Sequence, residues 1–194
     1  GRDWGSKEGV NAVVRMDNGG DWQLLEPCVR EACGVRHSDA HLLATTRRGD
    51  PERVVLAESH DGGLHWSEAR ELLAPGEIHA HLVVLDDGRL LCTYARQELP
   101  RGILAVLSKD QGQTWSVDLP IQLATTLSNF SGWPTSLQMS DGSILTSYTI
   151  KGYEETTQVN DSVTGVVRWR VPGEPAQIRP ASGPCFPEEH DDHK

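Results

Sequence analysis

The chain has little of what several classes of protein require. Its 194 residues include only four cysteines, two phenylalanines and two methionines, and aromatic residues make up 6% of the sequence. Four cysteines are too few for a disulfide scaffold and lack the paired spacing of a zinc motif. We therefore expect buried free thiols, with a Cys28–Cys33 disulfide as the alternative. No run of about 18 apolar residues is present, which excludes a membrane-spanning helix.

Positive charge is also scarce. The chain has 18 lysines and arginines against 28 acidic residues, a net charge of −10 and a pI near 5.2. This balance argues against binding to nucleic acid or to an anionic membrane, because both favour a basic surface. The sequence begins at Gly1 without a secretory leader. It is therefore consistent with a processed product or a piece of a longer protein, and the compartment stays open, an extracytoplasmic one included.

Eight histidines raise the question of a metal site. They include the pair His79 and His81 and two residues of an acidic tail, but neither group has the spacing of a known metal motif. We expect residues 173–194 to form a solvated, mobile tail. The sequence therefore predicts no metal site and no cofactor.

An internal repeat is the strongest signal in the sequence. The stretches "SHDGGLHW" (Ser59–Trp66) and "SKDQGQTW" (Ser108–Trp115) share Ser-x-Asp-x-Gly-x-x-Trp, and "RMDNGGDW" (Arg15–Trp22) is a degenerate third copy. The aspartate can accept bonds from turn amides, the glycine permits an unusual φ, and the tryptophan can fill space between sheets. We interpret these boxes as folding devices and not as catalytic or calcium sites. Their residues are Asp17, Trp22, Ser59, Asp61, Gly63, Trp66, Ser108, Asp110, Gly112 and Trp115.

A second pattern recurs between the boxes, an Asp-Gly turn followed by a short apolar run. It is present in "DDGRLLCTYA" from Asp86 and "SDGSILTSYT" from Ser140, and more weakly in "SDAHLLATTR" from Ser38. Asp-Gly between apolar runs predicts a hairpin, and no stretch has sustained helical periodicity. The chain is therefore predicted to be all-β, and four-strand units of this length have the size of propeller blades. The predicted strands of the second and third units begin at His81, Leu90, Gly102, near Val117, and at Ser136, Ile144 and Gly165.

These residues resemble the Asp-box (BNR-repeat) sialidase superfamily. Residues 86–115 resemble its run from DGRLL through an arginine to the box, 131–149 its Gly-Tyr-Pro stretch and following strand, and 166–172 its closing strand. The resemblance implies a β-propeller of sialidase type, with about three blades of a six-bladed ring in residues 1–172. Three explanations of the deficit stay open: the rest is missing from this sequence, which we favour, a second chain supplies it, or the ring is smaller.

The resemblance also implies a chemistry. Sialidases of this superfamily are retaining glycosidases with a tyrosine nucleophile, a glutamate base, an aspartate acid/base and three arginines that bind the substrate carboxylate. The amino-terminal motif and the catalytic aspartate have no counterpart here, and the nucleophile position corresponds to Trp133. The catalytic residues are therefore unassigned, and the weak candidates are Glu26, His81 and Tyr153.

Three residues are candidates for substrate binding. Arg47 and Arg96 are predicted on equivalent turns of successive blades, where two planar guanidinium groups could converge on one carboxylate. Trp133 could stack on a sugar ring or pack in the core. Three functions stay open. The first is a glycoside hydrolase of the sialidase superfamily, or part of one, acting on a terminal sugar of a glycan. The others are a non-catalytic propeller that binds glycan or protein, and a purely structural domain of a larger extracellular protein.

Overall fold

The computed structural model describes residues 11–15, 23–28, 31–126, 128, 131–151 and 162–173, and in these ranges every regular element is a β-strand. No helix that could span a membrane is found in this part of the chain. The strands are β1 (Asn11–Arg15), β2 (Gln23–Cys28), β3 (Cys33–Arg36), β4 (Leu42–Arg48), β5 (Arg53–Ser59), β6 (Arg70–Glu71), β7 (Glu77–Val84), β8 (Leu90–Arg96), β9 (Gly102–Ser108), β10 (Ile121–Thr125), β11 (Gly132–Gln138), β12 (Ile144–Lys151) and β13 (Ser162–Trp169).

The strands form successive antiparallel meanders. Their orders are β3-β4-β5-β6, β7-β8-β9-β10 and β11-β12-β13, while β1 pairs with β2. The first strand of the middle meander, β7, contacts both β3 and β11, so the three first strands lie side by side as the inner strands of adjacent blades. The prediction of an all-β propeller with about three blades is confirmed.

Burial follows from the position of each blade. Every residue of β9 is buried, because the middle blade is covered on both faces by its neighbours. Strand β11 instead alternates between buried and exposed residues, and Val163 and Val166 of β13 are more than half exposed. Among the described residues, the third blade is therefore covered on one face only.

Two apolar clusters fill the spaces between the blades. The cluster between the first and second blades includes Leu43 and Leu56 on one side and Tyr94 and Leu104 on the other. The cluster between the second and third blades is built around Leu91, Leu107 and Ile144. Burial of such side chains contributes roughly 1.5–3 kcal/mol each, so the blades are held together mainly by apolar contact.

A chain of buried hydroxyl groups also links the second and third blades. Ser136 Oγ lies 2.9 Å from Thr93 Oγ1 and 2.8 Å from Thr146 Oγ1, and Trp169 Nε1 donates to Thr146 Oγ1 over 2.9 Å. All three hydroxyl residues are at most 5% exposed. Because a buried hydroxyl without a partner is costly, this chain fixes the register of one blade against the next.

The two complete Asp boxes have the same hydrogen bonds. In the second box, Ser108 Oγ donates to Asp110 Oδ1 over 2.8 Å and accepts from Gly112 N over 2.8 Å, while Asp110 Oδ1 accepts a backbone N–H four residues later over 2.9 Å. The first box, which begins at Ser59, repeats these bonds at 2.9, 2.8 and 2.9 Å. Trp115 packs against the cluster between the first two blades. The degenerate copy, with Asp17 and Trp22, lies outside the described residues.

Four local predictions need correction. The strand expected from Ser136 is β11, which begins at Gly132. The outer strand was expected near Val117 but is β10, which begins at Ile121. The residues around Val117 form turns instead, through backbone bonds from Val117 N to Trp115 O and from Leu119 N to Ser116 O. His81 does not begin its strand: β7 starts four residues earlier and has a bulge before His81. The last strand, expected from Gly165, begins at Ser162.

The two cysteines with described side chains are not cross-linked. Cys33 and Cys92 are free thiols, so the alternative Cys28–Cys33 disulfide is not formed. Burial raises the pKa of both thiols, so they are protonated and unreactive at neutral pH. Apart from Gly173, the predicted tail lies outside the described residues.

Candidate functional site

The strand directions bring the candidate side chains to one end of the blades. At this end the inner strands β3, β7 and β11 begin and the second strands β4, β8 and β12 end. The pairings of Glu77 with Arg96 and of Gly132 with Thr149 show this, since each joins the start of an inner strand to the end of the next strand. Both Asp boxes follow the finish of β5 and β9 and therefore lie at the opposite end. The polar and aromatic residues at the first end are Glu31, Arg47, Glu77, His79, His81, Arg96 and Trp133.

The centre of this end is an aromatic pair that joins two inner strands. The rings of His79 and Trp133 stack with centroids 4.0 Å apart and planes 19° from parallel. Both residues have positive φ, 59° and 49°, which is uncommon for residues with side chains. A Cβ at Gly132 would lie 2.3 Å from His79 Nδ1, so the close approach of the two strands depends on that glycine.

Trp133 is held in place but is not part of the core. It is 46% exposed, whereas His79 beneath it is 7% exposed. Beside the pair lies an open pocket of about 250 Å³, which Glu31, Cys33, His81 and Trp133 help to line. Trp133 is therefore not a packed core tryptophan, and nearly half of its surface is open to solvent.

His79 is a neutral histidine that lies close to an arginine and a glutamate. Its Nε2 lies 3.4 Å from Arg47 Nη1 and 3.5 Å from Glu31 Oε2. Burial, and then the nearby Arg47 charge, lower the pKa of His79 to about 4. The ring is therefore neutral at pH 7. The tautomer in which Nε2 accepts from Arg47 has its ring proton on Nδ1, and Nδ1 has no hydrogen-bond partner among the described residues.

Both candidate arginines are paired with glutamates of the same chain. Arg96 Nε and Nη2 donate to Glu77 Oε1 over 2.9 and 2.7 Å. Arg47 lies 3.5 Å from Glu31 Oε2 and 3.2 Å from Glu52 Oε2, although Arg47 Nε makes no hydrogen bond of good geometry. Both guanidinium groups are therefore partly neutralised by glutamates, which weakens their attraction for a substrate carboxylate.

The weak catalytic candidates have different positions. His81 lines the pocket, and its Nδ1 accepts a bond from Ser136 N over 3.3 Å. Burial lowers the pKa of His81, so it is also neutral. Glu26 lies in β2 opposite Val13, and its side chain is outside the described part, as is all of Tyr153. Tyr94, a neighbour of Arg96, is 1% exposed, and burial and Glu77 raise its pKa.

Two residues of the site, Glu31 and His79, were not predicted. His79 was noticed only as one of a histidine pair, and Glu31 carries no motif. The left-handed backbone at Glu31 (φ 45°), His79 and Trp133 is what directs these side chains, and it leaves no pattern in a sequence. His79 and His81 do not form a metal cluster; among the described residues, the group with that geometry lies at the opposite end.

Comparison with known proteins identifies the fold. Residues 4–146 match the family described as BNR repeat-like domain. A protein of unknown function from Dyadobacter fermentans is 21% identical with a TM-score of 0.64, covering 84% of this chain and 46% of that protein. An endo-1,4-beta-xylanase from Bacteroides thetaiotaomicron is 11% identical with a TM-score of 0.56, covering 96% of this chain and 68% of the xylanase.

A third structure is more distant. An alpha-L-arabinofuranosidase from Fusarium graminearum is 18% identical with a TM-score of 0.46, covering 62% of this chain and 40% of that enzyme. A search of curated proteins finds no match. At these identities the likeness shows the fold alone. This chain spans about half the length of the Dyadobacter protein.

Proposed function

Because this chain belongs to the family of BNR repeat-like domains, we propose that it forms part of a glycosidase-type propeller that binds a terminal sugar of a glycan. The observation that carries the proposal is the half-exposed ring of Trp133, fixed against the buried ring of His79. An aromatic face suits the apolar C–H face of a sugar. Because the ring is already held in place, little conformational entropy is lost on binding.

The surroundings of Trp133 support a sugar over an apolar ligand. The adjoining pocket combines apolar walls with the Glu31 carboxylate and the His81 ring, and a few placed polar groups in an apolar pocket are typical of small-ligand sites. The carboxylate of Glu31 can accept bonds from sugar hydroxyls. A single sugar unit is therefore the ligand that best matches this pocket.

The pairing of the arginines bears on which sugar is bound. Glutamates already neutralise Arg47 and Arg96, so the carboxylate of a sialic acid would meet another carboxylate beside each guanidinium group. A neutral sugar would meet no such repulsion. We therefore favour a neutral terminal sugar over the sialic acid that the superfamily resemblance implies.

Hydrolysis of the bound sugar is the second candidate function. The observation that favours it is Glu31, whose side chain is 33% exposed beside the pocket, since most glycosidases act through a pair of carboxyl groups. Hydrolysis would require a second carboxyl group, which is not assigned among the described residues. Non-catalytic binding requires no second group.

The test measures binding and turnover separately, with the longest protein that contains this chain and a panel of neutral and sialylated oligosaccharides. Trp133→Ala should weaken binding at least about tenfold, the equivalent of about 1.4 kcal/mol, and Trp133→Phe should retain most of it. Leu64→Ala is the matched control, because Leu64 is also 46% exposed but lies in the first Asp box. Unchanged binding by Trp133→Ala would contradict the proposal.

Turnover then separates the two candidate functions. If Glu31→Gln binds the sugar but no longer releases it from a glycoside, the hydrolase is supported. If the wild-type protein binds its sugar and hydrolyses no glycoside of that sugar, the protein is a binding propeller.

A further inference from the structure

A second group of polar side chains lies at the opposite end of the first blade. His41 Nε2 is 3.3 Å from Glu58 Oε2, and His60 Nε2 is 3.8 Å from the same oxygen. The three ligand atoms all lie within 4.8 Å of one another. The pairing of Leu42 with Ser59 brings them together, because His41 precedes one strand and His60 follows the other.

The carboxylate of this group is held in one orientation. Arg70 Nη2 donates to Glu58 Oε1 over 2.9 Å, which leaves Oε2 directed at the two imidazole rings. Burial raises the pKa of Glu58, but the bonds from Arg70 and His41 outweigh it and keep that pKa below its ordinary value. Glu58 Oε2 is therefore placed to act as a ligand together with the two histidine nitrogens.

We propose that His41, Glu58 and His60 bind a divalent transition-metal ion, with Zn²⁺ as the best fit. Two imidazole nitrogens and one carboxylate oxygen are a donor set that zinc prefers, with water as the fourth ligand. Calcium and magnesium require mostly oxygen ligands. The open fourth position lies on the solvent side, because the His60 side chain is 73% exposed.

The site closes by movement of one ring. The rings of His41 and His60 are stacked with centroids 4.6 Å apart and planes 16° from parallel, so their lone pairs do not yet converge. Tetrahedral zinc, with ligand distances of about 2.0–2.1 Å, places its ligand atoms roughly 3.4 Å apart. His60 can rotate into that geometry because it is exposed, while His41 and Glu58, with side chains 10% and 16% exposed, stay fixed.

The neighbouring blade indicates that the fold does not require this group. The residues at the three equivalent positions of the second blade are Arg89, Leu107 and Lys109, which cannot bind zinc. The second Asp box nevertheless has the same hydrogen bonds as the first. Of the two blades with complete boxes, only the first has the two histidines and the glutamate. The turn of an Asp box therefore forms without them.

Isothermal titration of the full chain with ZnCl₂ tests the site. The reference protein carries His190→Ala and His193→Ala, which removes the two tail histidines as competing ligands. We expect one equivalent of zinc to bind, and His60→Ala or Glu58→Gln to weaken binding at least about a hundredfold, since even outer-shell substitutions weaken metal binding 10–100-fold. His65→Ala is the matched control, an 89% exposed histidine of the same box that should leave binding unchanged.

His60→Ala is the decisive variant because its exposed side chain contributes little to the core. A circular dichroism spectrum and unfolding midpoint equal to the reference without zinc would show that it folds. Zinc should then raise the midpoint of the reference and not that of His60→Ala. Zinc binding by His60→Ala equal to the reference, or no binding by the reference, would overturn the proposal.

Discussion

The neutral state of His79 predicts that the protein loses stability in mild acid. The unfolded chain binds a proton at this histidine near pH 6.5, whereas burial and Arg47 lower the pKa in the folded protein to about 4. Stability is therefore fully present above pH 6.5 and is lost as the pH falls toward 4. The whole shift corresponds to about 3 kcal/mol, of which about 2 kcal/mol is lost between pH 7 and pH 4.5.

The assay is urea unfolding of the wild type and of His79→Asn at pH 7, 5.5 and 4.5. Asparagine is chosen because it tolerates the positive φ of this position. Other groups, including His81, also titrate in this range, so the prediction concerns the difference between the two proteins. The stability of the wild type should fall by about 2 kcal/mol more than that of the variant over this range. Parallel losses in the two proteins would refute the reasoning.

Two further predictions concern the packing of the blades. Ser136→Ala removes the middle of the buried hydroxyl chain and should lower the free energy of unfolding by about 2–3 kcal/mol. Urea denaturation measures this loss. The control is Thr135→Ala at the exposed neighbouring position, which should change the free energy of unfolding by less than about 0.5 kcal/mol. Gly112→Ala would place a Cβ 2.4 Å from Leu43, so it should destabilise by about 1–3 kcal/mol more than Gly88→Ala, which has similar φ and open space around it. Equal midpoints for the two glycine variants would contradict the packing account.

Much of the fold could be predicted because its signals are local. The Asp-Gly turns and box turns are encoded within eight or ten residues, and the strands expected from Leu90, Gly102 and Ile144 begin at those residues. The outer strand was misplaced because outer strands are half exposed. In β10 no residue is buried, so apolar content does not distinguish it from the turn at Val117.

The candidate site could be predicted only in part. Trp133 and Arg96 lie in runs that resemble a known family, and both lie at the end of the blades where the inner strands begin. What they contact could not be read from the sequence. The stack on His79 depends on two left-handed residues in different blades, and the neutralisation of Arg96 depends on a cross-strand pairing with Glu77.

The proximity of His41, Glu58 and His60 could not be predicted from the sequence for a related reason. Neither histidine belongs to a motif with metal-ligand spacing. The residues are up to 19 positions apart in the chain. They meet only through the register of β4 against β5, so their proximity becomes evident only once that register is known.

The most direct test of the central claim, that Trp133 forms a sugar-binding face, is the indole N–H spectrum of the tryptophans during titration with the oligosaccharide that binds best. Trp133→Phe assigns the signal, since the chain has six tryptophans. The account predicts that the Trp133 signal shifts progressively with added sugar while those of Trp66 and Trp115 stay in place. Saturable binding of the oligosaccharide with the Trp133 signal unmoved would contradict it.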